Sequence, residues 1–171
     1  KGRYTCFLLG CDYKTHNVYY KPLRRKDEIA RAYCALALEN DWPKLSHVVH
    51  VVSDGESVLV KQLREGCERM GQSFSMLPPE TPNANLAGSN TMRHLKAMVR
   101  SFLVDASRHG SAIDSSYEDY AYRHAVQVRN CSGLAHHPSY HSPHRLHYGL
   151  PPVWDFLPWG CPVYITQSEK A

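Results

Sequence analysis

At 171 residues and 43% hydrophobic content, the chain is long enough to bury one core and short for two. Its formal charge of +4 permits a polyanionic partner without demanding one, since basic charge matters only where it clusters on a face. Cys6, Cys11, Cys34, Cys67, Cys131 and Cys161 form neither a C-x-x-C pair nor a tight framework, which excludes zinc-finger and disulfide-scaffold classes and points to a reducing, intracellular compartment.

Residues 4–10 form a short apolar run and residues 17–23 are rich in Val and Tyr; the turn-prone stretch 12–16 between them predicts a β-hairpin. Over 26–40 the positions Ile29, Ala30, Tyr33, Leu36 and Ala37 recur at helical spacing, and Asp27 and Glu28 suit the positive end of a helix dipole. Residues 47–53 hold Val48, Val49, Val51 and Val52, a nearly unbroken β-branched run that predicts a strand covered on both faces, ended by Asp54-Gly55. A helix over 58–70, a short strand over 74–77 and a Pro/Asn/Gly loop over 78–88 follow. The spacing predicts a long helix over 89–108 and another over 117–129, where Tyr120, Ala121, His124, Ala125 and Val128 align. Residues 131–158 are dense in His and Pro and read as loop, and 159–166 as a last strand. The order predicts a mixed α/β sheet with helices on both faces. No stretch reaches the roughly 18 to 20 apolar residues of a membrane span, and no signal-peptide run follows the basic start.

Several side-chain groups invite function, and each has a plainer reading. Arg93, Lys96 and Arg100 fall on one face of the long helix, where they can track a phosphate backbone or simply face solvent. Lys21, Arg24, Arg25 and Lys26 read as the solvated start of a helix. His136, His137, His141, His144 and His147 suggest zinc, but no cysteine lies near enough to complete a familiar ligand set. Trp42, Trp154 and Trp159, with the tyrosines, read as packing groups in preference to base-stacking platforms. Ser89 with a nearby His would suit a hydrolase, yet no G-x-S-x-G elbow surrounds it.

A set of motifs in order resembles the integrases of copia-type retrotransposons. Gly2-Arg3-Tyr4 leading into Leu8-Leu9-Gly10-Cys11-Asp12-x-x-Thr15 is similar to that family's hairpin, and Val18 to Leu23 continues it. Ser53-Asp54-Gly55 resembles "S-D-N-G" without its Asn. Residues 79–85 resemble "P-x-T-P-x-x-N-G", and Arg93-His94-Leu95 onward resembles the long helix after it. Near the end, Ser142-Pro143 to Gly149 and Phe156 to Tyr164 resemble "T-P-Y-E-L-W-x-G" and "L-R-V-F-G-C-P-A-Y". The collinearity, more than any one motif, carries the resemblance.

The resemblance implies an RNase H-like core over 1–108 and, in the same domain, a helix, a His/Pro-rich loop and a terminal strand over 109–171. It implies DNA cutting and joining by in-line attack on phosphate, with two aspartates and a glutamate holding two Mg²⁺ or Mn²⁺ ions about 3.5–4 Å apart. Asp54 matches the second aspartate. Ser89 stands where the glutamate belongs, or Asn90 if the loop before it carries one inserted residue, and a neutral side chain at either position is a poor ligand for a hard cation. Asp12 matches a second-strand aspartate that the family does not use; as a turn acid it is expected to bond its own backbone. Glu56 and Glu80 lie at no spacing that makes either a substitute. The first aspartate belongs to a strand ahead of the hairpin, central in the family's sheet, and the chain starts after it. Two rows of backbone groups should then lack partners unless residues ahead of Lys1 or another chain supply a strand, or the hairpin closes the gap.

The expectation is therefore an integrase-core-derived protein that binds nucleic acid or serves as a structural subunit of a larger assembly, without a metal cofactor. The competing expectation is an active integrase using Mg²⁺ or Mn²⁺. The resemblance further implies homodimerisation and a nuclear location.

Overall fold

The computed structural model describes residues 4–42, 49–53, 57–78, 86–108, 113, 115–135, 137, 139–153, 157 and 159–160. Its first elements are β1 (Cys6–Cys11) and β2 (Val18–Leu23), antiparallel with Cys6 opposite Leu23 and Cys11 opposite Val18. Pro22 sits in β2 opposite Phe7, a position tolerated because β2 is an edge strand. Helix α1 (Ile29–Glu39) follows a 3-10 turn and buries Tyr33, Leu36 and Ala37 of the predicted stripe together with Ala32, while Ile29 and Ala30 are half-buried.

Next come β3 (His50–Ser53), α2 (Ser57–Arg69) and β4 (Ser73–Met76), a β-α-β unit whose strands pair in parallel, His50 opposite Ser73 and Ser53 opposite Met76. Gly71, two residues past the end of α2, turns the chain away at a φ of 67°, in the left-handed region that glycine occupies without strain. Gly66 lets α2 press against α1: a Cβ there would lie 3.3 Å from Ala30 O and from the Tyr33 ring. Tyr33, Leu63 and Cys67 form the core of this layer, with Leu8, Trp42, Val51, Met70 and Phe74 around them.

The second layer is α3 (Leu86–Arg108) and α4 (Glu118–Cys131), which cover the other face of the hairpin. Val18, Leu95, Val99, Ala121, Tyr122, Ala125 and Val126 are buried together, with Phe7, Leu9, Cys11 and Tyr20 packed against them. A short helix, α5 (Pro143–Tyr148), then leans on α4.

Three expectations change, and a fourth lies mostly outside the described residues. The strand predicted over 47–53 is described from His50 and is not covered on both faces: Val52 is 48% exposed and His50 is exposed. Helices α1 and α2 cover only its Val51 face. Helix α3 starts at Leu86, inside the predicted loop, because Ala87 and Gly88 end no helix when packing favours one more turn. The segment 131–158 is not all loop, since α5 carries a complete set of caps: Ser142 Oγ accepts from Arg145 N at 3.2 Å, Pro143 opens the first turn, and Gly149 closes the helix at φ 75°. Of the strand predicted over 159–166, only Trp159 and Gly160 are described, and both lie in a turn.

The mixed α/β order holds, but the four described strands form two separate sheets, β1-β2 and β3-β4. Both contribute to the α1–α2 layer, through Leu8 and Val51, without a backbone ladder between them. The hairpin has therefore not moved in to pair with β3, and the outer edges of β1 and β3 carry no strand partner among the described residues.

Candidate functional site

The turn joining β1 to β2 is held by a dense set of hydrogen bonds. Asp12 Oδ1 accepts from Lys14 N at 2.7 Å and Thr15 N at 3.1 Å, an Asx-type arrangement that the turn sequence favours. Asp12 N donates to Asn17 O and His16 N to Asp12 O, each at 2.8 Å, and Asn17 N donates to Thr15 Oγ1 at 3.3 Å. His16 adopts φ 59°, a left-handed conformation uncommon for a side chain of its size.

Two distant elements hold this turn. From α5, His147 Nδ1 lies 3.7 Å from Asp12 Oδ2, and its Nε2 shares a 3.2 Å hydrogen bond with the Tyr19 hydroxyl. From α4, Arg129 donates to His16 O at 2.9 Å and to Thr91 Oγ1 of α3 at 3.3 Å, while Thr91 Oγ1 donates to Cys11 Sγ at 3.7 Å. Arg129 thus joins the turn to the first half of α3.

The electrostatics follow from these contacts. The His147 ring beside it, reinforced by the Thr15 and Lys14 amides, holds the Asp12 carboxyl well below the usual carboxylate range despite partial burial. Burial pushes the Tyr19 phenol up to about 12, and burial likewise raises the Cys11 thiol. A carboxylate, an imidazole and a phenol in line resemble a nucleophile relay. Tyr19, however, is 8% exposed, stays protonated, and meets Trp42 edge-on at 4.9 Å. The arrangement fixes α5 to the hairpin and offers no accessible attacking oxygen.

The sequence-predicted residues are spread out. Ser89 is exposed on α3, near its start. Arg93, Lys96 and Arg100 are all exposed on the outward side of α3, opposite the buried Leu95 and Val99. Arg93 bonds the neutral side chain of Asn90. In the other basic cluster Arg25 pairs with Asp27 at 2.6 Å and Lys21 pairs with Glu39, while the backbone N of Arg24 donates to Glu28 Oε2 at 3.0 Å. Asp54, Glu56 and Glu80 lie outside the described residues, as do His136 and Trp154. Trp42 and Trp159 pack against the two cores.

The described side chains do not supply a two-metal centre. Ser89 brings no charge, one oxygen of Asp12 serves two backbone amides, and no group of three or more His, Cys, Asp or Glu among the described residues is placed to hold a metal ion. His137 and His141 stack at 5.0 Å, and the described cysteines are free thiols. No described helix is long and apolar enough to cross a membrane.

Sequence reasoning missed His147 as a partner of Asp12, and missed Arg129. The Ser-Pro and Gly caps around 142–149 were the available signal for a helix that presents His147; nothing in the sequence marks Arg129.

No family model and no curated protein matches the chain. Solved structures do. The intasome of simian T-cell lymphotropic virus, in complex with the PP2A regulatory subunit B56 gamma, contains a chain that superposes with a TM-score of 0.62 at 17% identity over 93% of this chain. The match spans 53% of that protein, about half its length. The catalytic core domain of BIV integrase superposes with a TM-score of 0.56 at 14% identity, over 82% of this chain and 84% of that one. At such identities the likeness is one of fold, and the fold is that of an integrase core, RNase H-like, as the resemblance implies.

Proposed function

We propose that this chain is a degenerate integrase core of copia type that contacts nucleic acid as a subunit of a larger assembly and performs no metal-dependent chemistry. The observation that carries this reading is the outward face of α3. Arg93, Lys96 and Arg100 stand exposed on a helix whose opposite side is anchored by Leu95 and Val99. A rigid helix with three cations along about 10 Å suits a phosphate backbone. The neutral Ser89 near the start of the same helix, where the family places a carboxylate, supports the loss of catalysis. The likeness to an intasome chain supports an assembly role, and a reducing, nuclear setting fits a DNA partner.

The test is fluorescence anisotropy with duplex DNA across a salt series. Binding should weaken steeply with salt, and replacing Arg93, Lys96 and Arg100 together by alanine should reduce the log–log slope by about 2 to 3. Salt-independent or absent binding leaves a purely structural role. The active-enzyme alternative is settled by Mn²⁺ titration and a strand-transfer assay: two ions bound near Asp54, or joined DNA ends, would overturn the proposal.

A further inference from the structure

Two strand edges without a ladder lie on one apolar core. Asp12 N bonds Asn17 O, and by alternation Phe7, Leu9 and Cys11 point their backbone groups away from β2. In the other sheet Leu77 N donates to Ser53 O at 3.0 Å, which sets the backbone of Val51 and Ser53 against β4 and turns that of His50 and Val52 outward. Among the described residues nothing pairs with either row. Leu8 of β1 and Val51 of β3 nevertheless pack on the same Tyr33, Leu63 and Cys67. Both are only half-buried there, and Val52 is 48% exposed. The outer edge of β2 is by contrast occupied, at Val18, by the Asn130 side chain of α4.

We infer that β1 and β3 flank a slot for an extended segment of a partner protein, which pairs its backbone with both edges and lays apolar side chains on Tyr33, Leu63 and Cys67. This rests on the assembly part of the reading above and deepens it, independently of any nucleic acid. The occupant follows from the bonds on offer. A row of N–H and C=O groups recurring at every second residue is matched by extended backbone, whereas a helix spends those groups on itself. The apolar floor beside Leu8 and Val51 calls for β-branched or aromatic side chains at alternate positions of the incoming segment. With six residues in β1 and four in β3, the paired stretch is about five residues long.

The test selects phage-displayed random peptides of about ten residues on the 171-residue chain and follows the best of them, made synthetically, by hydrogen exchange. Enriched peptides should carry apolar residues at alternate positions, and the synthetic peptide should slow exchange at Phe7, Leu9, Cys11, His50 and Val52 by at least about tenfold. Methylating alternate backbone nitrogens of that peptide, with its side chains unchanged, should weaken binding at least about tenfold. Val52→Pro removes one outward N–H at an exposed edge position and should weaken binding to a similar degree, with circular dichroism checked first. Should that variant not fold, the methylated peptide reads the same bonds on the unaltered chain. Failure to enrich any peptide, enriched peptides without alternation, a binder that leaves the β1 and β3 amides unprotected, or a methylated peptide that binds undiminished would overturn the inference. Each of these leaves DNA binding and its salt slope standing, while loss of DNA binding with peptide docking intact would sink the nucleic-acid reading alone.

Discussion

Asn130 stands beside Val18 as a neighbouring strand would: its Nδ2 donates to Val18 O at 2.8 Å and its Oδ1 accepts from Val18 N at 2.9 Å. One side chain of α4 thereby satisfies the outer edge of β2 at a residue that is 2% exposed. Asn130→Ala strands a buried N–H and C=O together and should cost about 2–3 kcal/mol, read by urea unfolding. Asn130→Asp, which keeps the acceptor and loses the donor, should also be destabilised. An alanine variant as stable as wild type would show that water or a backbone shift replaces both bonds.

The opposite edge of the hairpin has no such cover among the described residues. Asp12 N bonds Asn17 O, and Val18, opposite Cys11, turns both its backbone groups to Asn130; by alternation Phe7, Leu9 and Cys11 point their backbone groups away from β2. Hydrogen exchange on the 171-residue chain should show these three amides exchanging at least about tenfold faster than those of Leu8 and Gly10. Equal protection across β1 would mean that a further strand pairs there.

The Asp12 contact carries a sign in pH. A carboxyl held below its ordinary value in the fold contributes stability that is complete above about pH 4 and is lost as pH falls toward the folded value. Asp12→Asn should therefore be less stable than wild type by about 1–2 kcal/mol at pH 7, with the difference shrinking as the pH is lowered below about 4. His147→Phe should diminish the same pH dependence by removing the largest cause of the shift. A wild-type and Asp12→Asn gap that stays constant from pH 7 to pH 3 would show that the carboxylate charge is immaterial.

The sequence by itself determined the local pieces. The apolar spacing of α1 and α4, the β-hairpin, the β-α-β order and the Asx turn at Asp12 all follow from period and turn chemistry, which act within a few residues. It also determined what chemistry is scarce, since Ser89 is a serine in any fold. Only tertiary structure decided which residues meet. That His147 lies against Asp12, that Arg129 ties the turn to α3, and that β3 keeps one face open depend on how helices far apart in the chain pack on two sheets. Packing is a property of complementary surfaces, and no short stretch of sequence encodes its partner. The start of α3 shows the same order of influence, since Leu86, Ala87 and Gly88 are weak signals alone and become helical when the turns after them are anchored by Leu95 and Val99.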